Sequence, residues 1–189
     1  MKTAIILHGM PSKEEYFNPD SPSQSNKHWL PWLQRELLIK GILTQTPELP
    51  EAYKPDYEQW KTWFERFPVD EETILVGHSC GGGFLIRWLS ENKIQINRLA
   101  LVAPWINPKD PQPVPGFFDF AIDGGLVQRT AGTQLFISSD DDQDELDTAE
   151  LVKSSIPGIT VKEFTDRGHF TLGDMGTDEF PELRDFLLE

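Results

Sequence analysis

Short apolar runs separated by segments of helical periodicity set the tightest limit on how this chain can fold. Residues 4–7, 73–76, 98–102, 135–138 and 159–164 are each too short for a helix and read as strands, and 73–76, apolar with a β-branched bias, has the pattern of a strand covered on both faces. Residues 42–46 form a weaker candidate. Between these runs, Trp29, Leu30, Leu33, Leu37 and Leu38 recur at three- and four-residue spacing, as do Tyr57, Trp60, Trp63, Phe64 and Phe67. Gly41 and Pro68 stand where those two helices should stop. Further helical patterns cover residues 84–89, 144–155 and 179–188. Strands alternating with helices predict an α/β fold: a doubly wound, mostly parallel sheet of about five to six strands with helices on both faces. At 189 residues the chain is expected to form one domain, residues 1–189.

Composition narrows the class further. Apolar residues make up 38% and charged residues 25%, with 6 Trp and 12 Phe, so a packed core is expected rather than disorder. The net charge of −14 opposes a polyanion, and with no basic patch in the sequence a nucleic-acid partner is not expected. No segment approaches the roughly 20 apolar residues of a membrane span. The single cysteine cannot form an internal disulfide, which points to a reducing, cytoplasmic setting. The first residues lack a signal-peptide pattern and read as a strand.

The chemistry concentrates in Gly77-His78-Ser79-Cys80-Gly81, a G-x-S-x-G pattern between a predicted strand and a predicted helix. Such a turn is tight enough that the residues flanking the serine must be small, and it leaves the hydroxyl exposed above the sheet. Ser79 would also sit at a helix N-terminus, where the backbone N–H of Cys80 could stabilise developing negative charge. A second donor is needed from the loop after the first strand, and in His8-Gly9-Met10 the N–H of Met10 is the candidate.

A serine hydroxyl needs a base, and a base needs an orienting acid, in the order Ser, Asp or Glu, His. His8 and His28 precede the serine, and the side chain of His78 should diverge from it. His169, in the loop after the last predicted strand, is the remaining candidate. For the acid, Asp140, Asp141, Asp142 and Asp144 all follow the 135–138 run, and chemistry alone does not choose among them. The spacing of Asp140, Asp142 and Asp144 also suggests an EF-hand loop. That reading fails, because Glu145 stands where the glycine is needed and Leu151 where the chelating glutamate belongs. No metal and no cofactor are expected. The segment 104–132 holds five prolines and the cluster Phe117, Phe118 and Phe120. An ordered cover over a pocket is the expectation, with Trp105 and Phe117 walling an acyl site and His8 near it. Arg87 is expected at the surface.

Together these residues resemble the small serine hydrolases of the α/β-hydrolase superfamily, in particular the retinoblastoma-binding-protein-9-like family and its bacterial relatives. The carriers are the strand into Gly9, Trp29-Leu30-Pro31-Trp32-Leu33, the Gly77-to-Gly81 turn, the strand ending Leu101-Val102, and Phe164-Thr165-Asp166-Arg167-Gly168-His169-Phe170. The resemblance implies a minimal α/β-hydrolase fold with no large lid domain, and hydrolysis of a small acyl substrate. It implies Asp142 as the triad acid, the second of two adjacent aspartates counted back from His169 without a gap. Gln143 departs from the family's usual proline at the next position. The expected triad is therefore Ser79, Asp142 and His169. Two other readings remain: a binding protein that keeps the scaffold without turnover, and a thiol hydrolase using Cys80. Neither a protein partner nor an oligomeric state is indicated.

Overall fold

The structure, a computed structural model, describes residues 1–106 and 114–189. Its apolar runs become strands β1 (Thr3–Leu7), β2 (Leu43–Gln45), β3 (Thr73–His78), β4 (Ile96–Val102), β5 (Thr130–Ser138) and β6 (Thr160–Phe164). These pair in the order β2-β1-β3-β4-β5-β6, every pair parallel. The chain reverses its direction of travel across the sheet between β1 and β3, and the crevice beyond the strand ends at such a point is where open α/β sheets place ligands. Register aligns those ends: Leu7 lies beside Gly77, His78 beside Val102, Val102 beside Phe136, and Ser138 beside Phe164. The loops that follow these five strands therefore open on one side of the molecule.

Alternation along the strands divides the core in two. Ile5, Leu7 and Leu75 point to the face covered by α3 (Tyr57–Phe64), α4 (Cys80–Asn92) and α5 (Gln143–Ser155). Ala4, Ile6, Ile74 and Val76 point to the face covered by α2 (Leu30–Ile39) and the C-terminal helix (Pro181–Leu188). The stripe Tyr57, Trp60 and Phe64 is buried against Phe84, so it is core as its spacing implied.

Three features depart from the periodicity. Strand β5 begins at Thr130 rather than at 135, because residues 130–134 pair with β4 through their backbone although their side chains lack an apolar run. Helix α4 begins at Cys80 rather than 84, through three glycines that are poor helix formers. Close approach requires them: a Cβ on Gly81 would lie 2.4 Å from the His8 carbonyl oxygen, and one on Gly83 would lie 2.2 Å from that of Trp105. Loop 10–27 carries a short helix, α1 (Lys13–Tyr16), capped by Ser12, and is held by the ion pair of Lys27 with Glu15.

Of the segment 104–132, residues 107–113 lie outside the described residues. The rest is ordered, but Phe117 is buried in the core, its ring 5.2 Å from that of Trp60. Arg87 is not a surface residue. Its guanidinium stacks 3.5 Å over the Tyr57 ring and donates to the carbonyls of Gly116 and Phe117, tying this segment to α4.

Candidate active site

Strand β3 ends at His78 and α4 starts at Cys80, so Ser79 alone makes the turn. It does so at φ 53° and ψ −125°, a conformation that L-residues avoid and that must be imposed by the surroundings. The Ser79 N–H donates to the Val102 carbonyl at 3.0 Å, and its own carbonyl accepts the N–H of Trp105 at 3.1 Å. The α4 N-terminus sits tightly behind it: a Cβ on Gly77 would lie 2.6 Å from the Cα of Gly82. Gly9 closes the other side, where a Cβ would lie 2.8 Å from that of Ser79. The β1 loop thus passes directly against the serine, with Met10 next in the chain. Cys80 is the first residue of α4, so its N–H is among the amides that a helix leaves without an internal partner.

His169 follows β6, in a loop that turns at Gly168 with φ 46°. Three contacts fix it. Its Nδ1 lies 3.1 Å from both carboxylate oxygens of Asp141, its carbonyl accepts from Nε2 of His78 at 2.8 Å, and its N–H donates to Asp174 at 3.2 Å. Burial works against the imidazolium, yet the Asp141 hydrogen bond and charge, with Glu145 and Asp174, raise the His169 pKa above its ordinary value.

The acid beside His169 is thus Asp141 and not Asp142, which corrects the expectation drawn from the gap-free count. The physical reason is local. β5 ends at Ser138, a turn closed by the Asp141 N–H on the Ser138 carbonyl points the Asp141 side chain inward, and α5 begins at Gln143. Asp142 must take the cap position of that helix, where it is exposed and donates its N–H to Asp141 Oδ1 at 2.8 Å. The Asp141 side chain is 4% exposed and that of His169 28%, as a buried orienter and a reachable base require.

The other histidines are structural. His8 uses both ring nitrogens on backbone, Nδ1 donating to the Gly9 carbonyl and Nε2 accepting from Leu49, and burial lowers its pKa. His78 is pushed well below the ordinary range by burial and then by the neighbouring His169. His28 accepts the N–H of Leu172, and burial lowers its pKa also. The Cys80 thiol is buried and raised by burial, the opposite of an activated thiolate.

A cavity of about 430 Å³ opens over the serine, lined by Met10, Ser79, Trp105, Asp142, Gln143, Asp144, Glu145 and His169. A smaller lobe of about 150 Å³ shares Met10, Ser79 and His169, and adds His8, Gly9, Pro11, Glu15, Gln24, His28, His78 and Thr171. Trp105 and Met10 line the larger lobe, His8 borders the smaller lobe with its ring already engaged, and Phe117 lies away from both. The reading of the sequence missed Glu145 as a neighbour of the site. Its spacing of four from Asp141 was the available signal, since residues so spaced at a helix start can share a face. Asp141, Glu145 and His169 each offer an atom within 4.8 Å of the others. A metal ion there would have to replace the hydrogen bond between Asp141 and His169, so these residues fit a proton-handling pair better than a metal centre.

Comparison with known proteins bears on family and fold. Residues 20–189 match the sequence model of the family described as serine hydrolase. The chain is similar to YdeN of Bacillus subtilis (strain 168), named provisionally as a hydrolase, with 26% identity over 186 residues, covering 93% of this chain and 95% of that protein. The crystal structure of the ydeN gene product matches at a TM-score of 0.84 with 23% identity, over 100% of this chain and 97% of the other. Est1E from Butyrivibrio proteoclasticus shares the fold at a TM-score of 0.62 and 14% identity, over 99% of this chain and 87% of its own.

Proposed function

Because the chain belongs to the serine hydrolase family, we propose that it is a carboxylesterase-like enzyme cleaving a small ester or related acyl compound through an acyl-enzyme on Ser79. The observation that carries this reading is the 3.1 Å contact of Asp141 with His169 Nδ1, in a cavity whose floor is the strained Ser79 turn. Asp141 accepts a hydrogen bond from Nδ1–H of His169, which fixes the tautomer that leaves Nε2 unprotonated as a base. Nε2 takes the Ser79 hydroxyl proton as Oγ adds to the substrate carbonyl, and the resulting oxyanion is held by the N–H groups of Met10 and Cys80. The imidazolium returns the proton to the leaving oxygen as the ester bond breaks. Water then repeats the sequence on the acyl-enzyme, releasing the acid and restoring Ser79. Every step uses side chains and amides of the protein.

Trp105 borders the larger lobe and supports an acyl group of modest size. One structural neighbour, Est1E, has been seen with ferulic acid bound, which makes aryl esters a natural part of a substrate panel. The single, buried cysteine accords with a cytoplasmic setting. The test is labelling by a fluorophosphonate probe, expected for the wild-type protein and absent from Ser79→Ala and His169→Ala. An unlabelled wild-type protein would refute the reading.

A further inference from the structure

Asp141 is not the sole carboxylate within reach of the base. Glu145, one turn into α5, is half-buried in the wall of the larger lobe and places an oxygen within 4.8 Å of both a His169 ring nitrogen and an Asp141 oxygen. A carboxylate at that separation from an imidazole in a partly desolvated cleft interacts much more strongly than it would in open water. Resting on the hydrolase reading above, we propose that Glu145 is a positioning residue, a reserve carboxylate that supports the His169 imidazolium alongside Asp141 and takes over part of its role when Asp141 is lost.

Several features favour this role over that of a helix-end charge placed for the dipole alone. Glu145 lines the cavity, whereas an acid serving only the dipole needs no access to it. Burial, followed by the charges of Asp141 and Asp142 and opposed by His169, holds its carboxyl above the usual range, while Glu145 in turn raises His169. The two groups are therefore electrostatically linked. The other groups facing His169 are held by backbone groups, although the Asp174 charge also helps to raise His169. His78, at the end of β3, is spent on the His169 carbonyl; Asp174, in the short helix Leu172–Met175, is spent on the backbone N–H groups of His169 and Thr171; and His28 is spent on Leu172. Among the groups whose charges act on the Glu145 carboxyl, His169 is the one that favours its anion.

The experiment uses the full chain as wild type, Glu145→Gln, Asp141→Asn and the double variant, with kcat/KM for 4-nitrophenyl acetate measured against pH and fluorophosphonate labelling in parallel. Glutamine keeps the size of the side chain and removes only its charge. Alone, Glu145→Gln should lower kcat/KM at pH 8 by less than about threefold, whereas in the Asp141→Asn background it should lower it by about tenfold or more, the non-additivity expected of coupled residues. The acid limb should also move. An anionic Glu145 stabilises the imidazolium, so removing its charge lowers the His169 pKa and carries the limb down by about half a unit to one unit. Glu145→Asp, which keeps the charge, should restore most of that limb. The same loss factor in both backgrounds would overturn the proposal, as would an acid limb that stays in place. Should the double variant fail to fold, the limb of the single variant decides alone. Wild-type labelling separates the two levels: an unlabelled protein sinks the hydrolase reading and this one with it, while a labelled enzyme with an unmoved limb sinks only the role of Glu145.

Discussion

Replacing Asp141 or Asp142 with asparagine discriminates sharply between two neighbouring aspartates. The Asp141 carboxylate lies 3.1 Å from His169 Nδ1, almost wholly buried, and in the proposed mechanism it stabilises the imidazolium formed during acyl transfer. At that distance and an effective dielectric near 20, the attraction is about 5 kcal/mol, which bounds the loss at between ~10³- and ~10⁴-fold in rate. Water entering the site and the remaining charge of Glu145 offset part of it, so Asp141→Asn should lower kcat/KM by roughly 10²- to 10³-fold. Asp142→Asn should change it by less than about twofold, because the Asp142 side chain is exposed at the start of α5 and makes no capping hydrogen bond there. Hydrolysis of 4-nitrophenyl acetate at pH 8 measures both, with melting temperatures as the control for folding. A loss of tenfold or more in Asp142→Asn, with Asp141→Asn near wild type, would show that the imidazole is oriented by the second aspartate and that the turn after β5 has been misread.

Other outcomes follow from the same geometry. Cys80→Ala should retain fluorophosphonate labelling at the wild-type rate, since the thiol is buried and its pKa is raised; loss of labelling would restore the thiol reading. Ser79→Gly should abolish hydrolysis yet be more stable than Ser79→Ala by about 1 kcal/mol in urea unfolding, because glycine tolerates the φ of 53° that alanine does not. Gly81→Ala should destabilise the protein by about 1–3 kcal/mol, since its Cβ would meet the His8 carbonyl at 2.4 Å; an unchanged urea midpoint would mean that α4 can shift freely. Stability should fall on acidification below pH ~6.5, where the unfolded chain takes up protons that buried His8, His28 and His78 resist, their folded pKa values being lowered. His169 has the opposite sign: its raised pKa adds stability that is present below pH ~6.5 and is lost as pH rises through the folded value. Three groups outweigh one, so a melting temperature that rises from pH 7 to 5.5 would refute this balance.

How far the fold could be read from residues depended on whether side-chain pattern or backbone geometry decided each element. Strands β1, β3 and β4 were visible because their apolar runs are buried on both faces, and the aromatic stripe of α3 because it faces the core. The early part of β5 was not visible, since pairing by backbone hydrogen bonds leaves no apolar signature. Phe117 was misplaced because a phenylalanine lining a pocket and one filling the core look alike in sequence. Arg87 was misplaced for a related reason: its charge suggested solvent, but an aromatic ring and two carbonyls supply what water would have given. The acid was off by one residue. A count along the chain does not reveal whether the last turn residue or the helix cap points inward.

The strain at Ser79 explains why so much of the surrounding sequence is glycine and why the serine and its flanking turn were the most legible part of the site. A non-glycine residue at φ 53° and ψ −125° costs about 1–3 kcal/mol and persists only where the surroundings forbid relaxation. Here the Ser79 N–H is tied to β4 and its carbonyl to Trp105, while Gly9 lets the loop after β1 pass against the serine and Gly77 and Gly81 let the start of α4 close on β3 and on the end of β1, at separations that a Cβ would block. The same closeness that enforces the strain brings the loop of Met10 and the N-terminus of α4 beside Oγ, where an oxyanion would form. A more relaxed turn, with larger neighbours, would be more stable but would move both donors away from the reacting carbon. The glycine pattern is therefore a record of the site's geometry, whereas the aspartate run, in which several carboxylates satisfy the same local chemistry, is not.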